Sequence, residues 1–256
     1  MCFDHDSRPP IVPDPSGMRD ATDVVLESPD GNHFAAYVAR AAHPTGAGIV
    51  ILPDVRGLHA YYRELTERFA EHGVDAISFD YFGRTAGLTD RGPEFDYRPH
   101  VGATTWAGLS ADIRVAADHL KTAASPERLY TTGFCMGGRL AFDTAAMGLD
   151  LAGVIGFYGW PVGKGISDIP APADLASTFT CPVLGIFGGA DEGIPATVVA
   201  EFEQSLEAAG VKHCITTYEG APHSFFDRKA ADFADASDRA WAETLGFMGV
   251  AKAAAA

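Results

Sequence analysis

Five short apolar runs recur along the chain, and none of them alternates with polar residues. They cover residues 48–52, 76–79, 129–134, 154–158 and 183–187, and a more polar candidate follows at 214–218. Continuous apolar strands are expected in a parallel sheet that is covered on both faces, because neither face then meets water. The runs therefore predict a buried, mostly parallel sheet.

Helical patterns fill the intervals between these runs. Apolar residues recur at helical spacing in four stretches: Tyr62, Leu65 and Phe69; Trp106, Leu109, Ile113, Ala117 and Leu120; Val198, Val199, Phe202 and Leu206; and Trp241, Leu245 and Met248. We interpret these stripes as core packing, since an amphipathic helix buries one such face. Strands that alternate with helices indicate βαβ crossovers and a doubly wound α/β sheet.

The N-terminal part of the chain has a different pattern. Residues 1–20 are rich in Pro and Asp and predict an irregular arm. Segments 22–27 and 33–39 flank a turn-rich connection, which predicts an antiparallel hairpin. No repeat or linker divides the sequence, so residues 1–256 are expected to form a single domain that ends in a frayed Ala-rich tail at 251–256.

The charge balance disfavours two classes of partner. A net charge of −15 argues against binding to nucleic acid or to an anionic membrane surface, because both reward positive charge. No segment approaches the roughly 20 apolar residues of a membrane span, and the first residues lack the features of a secretory signal. The four cysteines, Cys2, Cys135, Cys181 and Cys214, have neither disulfide-framework nor metal-ligand spacing. A reducing cytoplasm is the expected setting, without a bound metal.

A glycine-rich hexapeptide lies between the apolar run 129–134 and a helical segment. Residues 133–138 read Gly-Phe-Cys-Met-Gly-Gly. The pattern Gly-x-nucleophile-x-Gly at a strand-to-helix turn is typical of a nucleophile elbow, whose small neighbours make room for a strained central residue. The following helix directs its free N–H groups and positive dipole end at the sulfur of Cys135, which favours negative charge there. The alternative is a buried apolar cysteine, and the context favours the nucleophile.

Candidate partners for this cysteine follow two later strands. Asp191 comes after the apolar run 183–187, and His223 lies in a loop beyond the candidate strand 214–218. The order nucleophile, acid, histidine is that of the α/β-hydrolase triad. Taken singly, the histidine could be a surface residue and the aspartate a turn former. Glu192 is the rival for the acid role, although the Gly-Gly-x-Asp placement favours Asp191.

Three motifs together resemble the dienelactone hydrolase (carboxymethylenebutenolidase) family. They are residues 133–138, Gly-Gly-Ala-Asp at 188–191 and Pro-His-Ser-Phe at 222–225, and the resemblance extends over about residues 48–247. It implies an α/β-hydrolase fold and a triad of Cys135, Asp191 and His223 acting on a small anionic lactone or enol ester. It further implies a cytoplasmic enzyme without a cofactor, present as a monomer or a weak homo-oligomer.

The same resemblance implies roles for the segment after the run 48–52. The family places an acidic residue near the resting sulfur, which helps to hold the thiol protonated, and Asp54 occupies that position. Well-known members carry glutamate there, so the aspartate is one methylene shorter. The backbone N–H groups of Val55 and Met136 would form the oxyanion hole. Simple turn capping is the alternative role of Asp54.

Arginines are implied as ligands of the substrate carboxylate. Arg84 follows the run 76–79, where the family uses an arginine, and a guanidinium can bind a carboxylate through two hydrogen bonds. Arg228 is a second candidate; the family's usual arginine lies four residues after the histidine, and that position here is Asp227. Arg56 is a third basic group near the expected site. Each could instead be an ordinary surface arginine.

Other functions remain open at this point. The departures at Asp54 and Asp227 are compatible with a broad carboxylesterase or thioesterase. A non-catalytic redox-sensing or ligand-binding protein could also retain the elbow and use Cys135 as its sensing group. No resolving cysteine is visible nearby, and a complete triad would be superfluous in a sensor. A metal hydrolase is the least favoured, because no His, Asp or Glu cluster has ligand spacing.

Overall fold

A single eight-stranded sheet forms the centre of the computed structural model, which describes residues 6–227 and 229–250. Its strands are β1 (Met18–Glu27), β2 (His33–Ala41), β3 (Ala47–Leu52), β4 (Val74–Phe79), β5 (Arg128–Phe134), β6 (Leu151–Phe157), β7 (Val183–Gly188) and β8 (His213–Tyr218). The strand order is β1-β2-β4-β3-β5-β6-β7-β8. β2 pairs antiparallel with β1 and with β4, and all other pairs are parallel. The predicted α/β class, the mostly parallel sheet and the N-terminal antiparallel hairpin are confirmed.

Helices connect the parallel strands, as βαβ crossovers require. They are α1 (Ala60–Glu71), α2 (Gly83–Ala86), α3 (Arg98–Gly102), α4 (Trp106–Ala124), α5 (Met136–Thr144), α6 (Pro172–Leu175), α7 (Ala196–Ala208) and α8 (Ala234–Phe247), with 3-10 turns at Pro15–Gly17 and Ala176–Thr178. No helix in the described part of the chain is both long and apolar enough to cross a membrane.

Two sequence expectations need correction. The hairpin begins at Met18 and not near residue 22, because the first residues of β1 pair with Ala41 and Arg40 across a register shift. The expected irregular arm is therefore shorter than 1–20, and the expected frayed tail at 251–256 lies outside the described residues. The sequence also predicts two long loops, at 82–104 and 159–180, and these contain the short helices α2, α3 and α6. These helices are too short to produce a recognisable helical period.

The core explains why the apolar runs lack alternation. Every residue of β3, β4 and β7 is buried, so both faces of these strands pack against other elements. Behind the end of β5, the ring of Phe134 stacks on Phe157 and Phe226, with centroid separations of 4.7 and 5.9 Å. Each such aromatic pair contributes about 0.5–1.5 kcal/mol beyond the area that it buries. This cluster forms a rigid support directly before Cys135.

Candidate active site

Cys135 lies at a sharp turn between β5 and α5. Its backbone has φ 56° and ψ −115°, a conformation that costs a non-glycine residue roughly 1–3 kcal/mol. A Cβ on Gly133 would lie 1.9 Å from the Gly137 carbonyl oxygen, and one on Gly137 would lie 2.1 Å from that of Leu52. Only glycine fits these two close approaches. The backbone thus has the elbow geometry that the glycine spacing predicts.

His223 and Asp191 are joined by a short hydrogen bond. The distance between His223 Nδ1 and Asp191 Oδ2 is 2.6 Å, and the carboxylate side chain is only 2% exposed. Asp191 Oδ1 accepts bonds from the backbone N–H groups of Gly193 and Ile194, at 2.9 and 3.3 Å. Because a carboxylate accepts, Nδ1 carries the proton and Nε2 is the basic nitrogen. Glu192, the rival acid, is exposed.

Cys135 and His223 line the same cavity, which has a volume of about 390 Å³. Most of its remaining surface is apolar and comes from Met136, Tyr158, Trp160, Ile166, Ile169 and Ile194. A small ester fits such a volume, and the mouth is open to solvent because Trp160 and Ile166 are each 37% exposed. A larger depression of about 630 Å³ lies beside Tyr218 and Arg239, but it contains none of the expected triad.

The segment 53–58 is held rigidly beside the elbow. Asp54 is fully buried; its backbone N–H donates to Tyr62 Oη at 3.0 Å, and its Oδ1 accepts from the Arg56 N–H at 2.9 Å. A Cβ on Gly137 would also lie 2.3 Å from the Pro53 carbonyl oxygen, so the start of α5 touches this segment. Met136 is the first residue of α5, where N–H groups have no intrahelical acceptor. Val55 lies half-buried in the same segment.

Tyr81 is a buried residue beside the segment 53–58 that sequence reasoning missed. Its hydroxyl donates to the Pro53 carbonyl oxygen at 2.7 Å. Burial raises the pKa of Tyr81 well above its usual value, and negative charge on Asp54, Asp80 and Cys135 raises it further. The phenol is therefore within electrostatic reach of both Asp54 and Cys135. A buried tyrosine in a strand-end aromatic pair gives no signal of this in sequence.

Comparison with known proteins identifies the family. A family model described as the dienelactone hydrolase family matches residues 34–251. The chain belongs to the dienelactone hydrolase family. The expected resemblance is thereby confirmed, and with it a hydrolase that acts on ester or lactone bonds.

Relatives of known name span most of the chain. A Salmonella typhimurium protein, provisionally named carboxymethylenebutenolidase, is 33% identical over 230 residues, 85% of this chain and 82% of the relative. A carboxymethylenebutenolidase of Rhodococcus opacus is 29% identical over 234 residues, 88% of this chain and 86% of the relative. The crystal structure of a provisionally named dienelactone hydrolase from Klebsiella pneumoniae subsp. pneumoniae has 28% identity and a TM-score of 0.74, covering 90% of this chain and 99% of that one.

Arg84, one of the expected arginine ligands, is held away from the cavity of this dienelactone hydrolase family member. Arg84 Nε and Nη2 donate to the two Asp30 oxygens at 2.9 and 3.0 Å, and Nη1 donates to Asp112. Asp112 is fully buried, and Arg84 does not line the cavity. Its charge is already paired with these two carboxylates. Arg228 lies outside the described residues.

The fourth position after His223 has a different role in this chain. Asp227 is 2% exposed, and Tyr158 Oη donates to its Oδ2 at 2.9 Å. Burial and the charge of Asp227 raise the pKa of Tyr158 well above its usual value. The Tyr158 ring packs against the imidazole of His223, with a centroid separation of 4.8 Å. Asp227 therefore supports a cavity residue that contacts the histidine. Arg56 is likewise buried rather than at the mouth.

Two basic side chains that the sequence reading did not single out line the cavity: Arg139 and Lys164. Arg139 is one turn after the elbow cysteine on α5, and that spacing was the available signal. Lys164 lies in the loop 159–180, whose path the sequence does not specify. No group of three or more His, Cys, Asp or Glu side chains within the described ranges is arranged to hold a metal ion.

Proposed function

We propose that this protein is a thiol-dependent hydrolase of activated lactones or enol esters, acting through Cys135, His223 and Asp191. One observation carries the proposal. A cysteine at a strained elbow and a histidine bonded to a buried aspartate at 2.6 Å open into the same cavity. The order and geometry of these three residues suit nucleophilic acyl transfer.

The reaction begins when His223 Nε2 takes the thiol proton of Cys135. The sulfur attacks the ester carbonyl carbon, and the negative charge on the oxygen is stabilised by the N–H groups of Val55 and Met136. Collapse of this intermediate breaks the C–O bond, releases an enolate and leaves an acyl thioester on Cys135. The imidazolium, stabilised by Asp191, returns its proton to the enolate. His223 then activates a water molecule that hydrolyses the thioester and restores the thiol.

A cysteine nucleophile restricts the substrates that react well. A thiolate is itself a good leaving group, so a tetrahedral intermediate with an ordinary alkoxide returns to the substrate more often than it proceeds. An enolate or phenolate leaves readily and removes this obstacle. We therefore assign activated lactones, enol esters and aryl esters to the site, in a reducing compartment such as the cytoplasm where a free thiol persists.

Negative charge on the substrate would be recognised by Lys164 in this proposal. Arg139 also lines the cavity, but its donors are engaged by backbone carbonyls. Lys164 is exposed and takes part in no hydrogen bond or ion pair among the residues that the structure describes. Its ammonium group is thus available to a substrate carboxylate in a protein whose net charge of −15 otherwise repels anions.

Asp54 is proposed to restrain the resting thiol. Its carboxylate is fully buried, and its charge acts on the Tyr81 hydroxyl, as does charge on Cys135. Negative charge at that point disfavours a thiolate and protects the sulfur from oxidation until substrate arrives. The shorter aspartate side chain is compatible with this role because the segment 53–58 packs directly against α5.

The decisive experiment is to trap the acyl enzyme. An activated aryl ester is mixed with the protein, quenched with acid within the first turnover, and digested for mass spectrometry. The expected result is an acyl group on the peptide that contains Cys135. Hydrolysis that proceeds at the normal rate in Cys135→Ala, or an acyl group on another residue, would refute the proposed mechanism.

A broad carboxylesterase is a second candidate, favoured by the apolar cavity lining and by the absence of Arg84 from it. The two candidates differ in their response to charge. A dienelactone hydrolase-like enzyme should prefer a carboxylate-bearing enol lactone to a neutral aryl acetate, as measured by kcat/KM. An equal or reversed preference would favour the broad esterase.

A further inference from the structure

The guanidinium group of Arg139 donates hydrogen bonds to four backbone carbonyls along one side of the cavity. Arg139 Nε donates to the Pro170 carbonyl oxygen and Nη1 to that of Trp160, both at 2.9 Å. Nη2 donates to the carbonyl oxygens of Gly163 and Ile169, at 2.8 and 3.2 Å. We call residues 159–170 the cavity wall, since their side chains include Trp160, Lys164, Ile166 and Ile169 of the lining.

The same arginine belongs to the helix that begins at the nucleophile. Arg139 lies four residues after Cys135, and its backbone N–H donates to the Cys135 carbonyl oxygen at 3.2 Å. A single residue thus connects the first turn of α5 with the cavity wall. Because Arg139 is only 4% exposed, water competes little for these bonds.

We propose that Arg139 is a positioning residue that fixes the cavity wall against the nucleophile's helix and thereby limits the size of ester that the site accepts. The inference rests on the proposed function, in which Cys135 attacks an ester bound in this cavity. It adds a determinant of size selectivity that acts through the backbone of the wall and not through contact with the substrate.

The hydrogen bonds and charge of Arg139 favour a positioning role over the binding of a substrate anion. Four of the five guanidinium N–H donors that arginine possesses point to carbonyl oxygens of the wall. Burial lowers the pKa of Arg139, while the charges of Asp143 and Asp174 oppose that change. A substrate carboxylate would have to displace carbonyl acceptors to bind there. Lys164 can meet the anion without such a rearrangement.

Gly165 shows how closely the guanidinium lies against the wall. A Cβ at this position would be 2.7 Å from Arg139 Cζ and 2.8 Å from Nε. No left-handed backbone angle is found at Gly165, so alanine is compatible with the local conformation. Gly165→Ala therefore pushes the wall away from Arg139 without removing any hydrogen-bond donor. It is an independent way to disturb the same contact.

The first test measures size selectivity. Arg139→Gln removes most of the donors, and we expect the ratio of kcat/KM for p-nitrophenyl acetate to that for p-nitrophenyl hexanoate to fall about tenfold. Arg139→Lys should restore this ratio only in part, because one ammonium cannot span four carbonyls. An unchanged ratio would overturn the proposal. So would a loss confined to anionic esters in a size-matched pair, since that result would identify an anion-binding group.

The second test uses no catalysis. Lys164 is an exposed tryptic site within the wall, so its cleavage rate reports how firmly the wall is held. We expect Arg139→Gln to be cleaved at Lys164 about tenfold faster than the wild type under native conditions, with cleavage at the exposed Lys212 unchanged. Equal rates at Lys164 would overturn the inference. This readout is valid even if Cys135→Ala retains activity and the proposed function fails.

The third test combines the two substitutions. Gly165→Ala alone should relax size selectivity in the same direction as Arg139→Gln, and it should have little further effect in the Arg139→Gln background. Gly102→Ala, where a Cβ would meet nothing within 4 Å, is the matched control. Fully additive effects would contradict a shared contact. Thermal unfolding of each variant identifies any that fail to fold.

Discussion

The two sides of the cavity are built in different ways. On the side of the proposed triad, which comprises Cys135, Asp191 and His223, each residue follows the end of a parallel strand within a few residues. On the cavity wall, residues 159–170, the backbone is held by the side chain of Arg139. Strand ends meet at one edge of a parallel sheet regardless of loop detail, whereas the wall depends on one distant side chain. In the proposed mechanism, the fold would therefore determine reactivity, and a local set of hydrogen bonds would determine selectivity.

The largest expected effect comes from the sulfur itself. Cys135→Ala should lower kcat/KM for an activated aryl ester by a factor on the order of 10⁴ or more, because no nucleophile remains. Initial-rate assays at matched folded concentration measure this. Cys214→Ala, which removes another thiol that is exposed, is the control and should be fully active. Activity in Cys135→Ala near the wild-type level would place the chemistry elsewhere.

The histidine's acidic partner is expected to have the next largest effect. Asp191→Asn should lower kcat by roughly 10³- to 10⁴-fold, because an amide neither fixes the Nδ1–H tautomer nor stabilises the imidazolium. The neighbouring Glu192→Gln is a matched control, since Glu192 is exposed. Steady-state kinetics of both variants measure the difference. Equal losses in the two variants would contradict the assignment of Asp191.

The role of Asp54 can be tested without substrate. If its charge restrains the thiol, Asp54→Asn should raise the rate of Cys135 alkylation by iodoacetamide about tenfold. The Cys135→Ala variant gives the background from other thiols, and burial raises the pKa of Cys181 to about 11, so that thiol reacts slowly. Asp96→Asn, at an exposed carboxylate, is the control. A slower or unchanged rate in Asp54→Asn would show that the aspartate only caps its turn.

Variants of Lys164 and Arg84 compare a positive charge on the cavity wall with one that does not line the cavity. Lys164→Gln should raise KM for a carboxylate-bearing aryl ester about fivefold and leave its neutral methyl ester unchanged, because an exposed ion pair is worth about 1 kcal/mol. Arg84→Gln should leave both KM values unchanged. It should lower the free energy of unfolding by about 2 kcal/mol, because the buried Asp112 carboxylate loses its ion-pair partner. Kinetics and chemical denaturation together measure this. The reverse pattern would restore Arg84 as the substrate ligand.

The sequence predicts more about the side of the proposed triad than about the cavity wall. The elbow was predictable because Gly133 and Gly137 are required by backbone contacts within a few residues of Cys135. Asp191 and His223 were predictable because chain order and strand ends determine where they lie. The ion pairs of Arg84 could not be predicted, because the direction of a long side chain depends on Asp30 and Asp112, which are distant in sequence. The wall could not be predicted, since its path depends on side-chain bonds to carbonyls that leave no residue pattern.

The smallest expected effect concerns Asp143, a buried carboxylic acid next to Arg139 on α5. Asp143 lies one turn after Arg139 on α5 and is fully buried; in the part of the chain that the structure describes, neither of its oxygens has a hydrogen-bond partner. Burial raises the pKa of Asp143 well above its usual value, although the charge of Arg139 opposes the change. The folded protein therefore holds this proton more tightly than the unfolded chain.

The sign of the pH dependence follows from that difference. A raised pKa in the folded state contributes stability that is fully present below the unfolded value, near 3.8, and is lost as the pH rises through the folded value. Asp143→Asn cannot ionise, so its free energy of unfolding should fall less than that of the wild type as the pH rises above about 4. Urea titrations at several pH values measure this, with the exposed Asp90→Asn as control. If the free energies of unfolding of wild type and Asp143→Asn changed in parallel with pH, Asp143 would be ionised in the folded protein. Arg139 would then hold the cavity wall next to a negatively charged carboxylate.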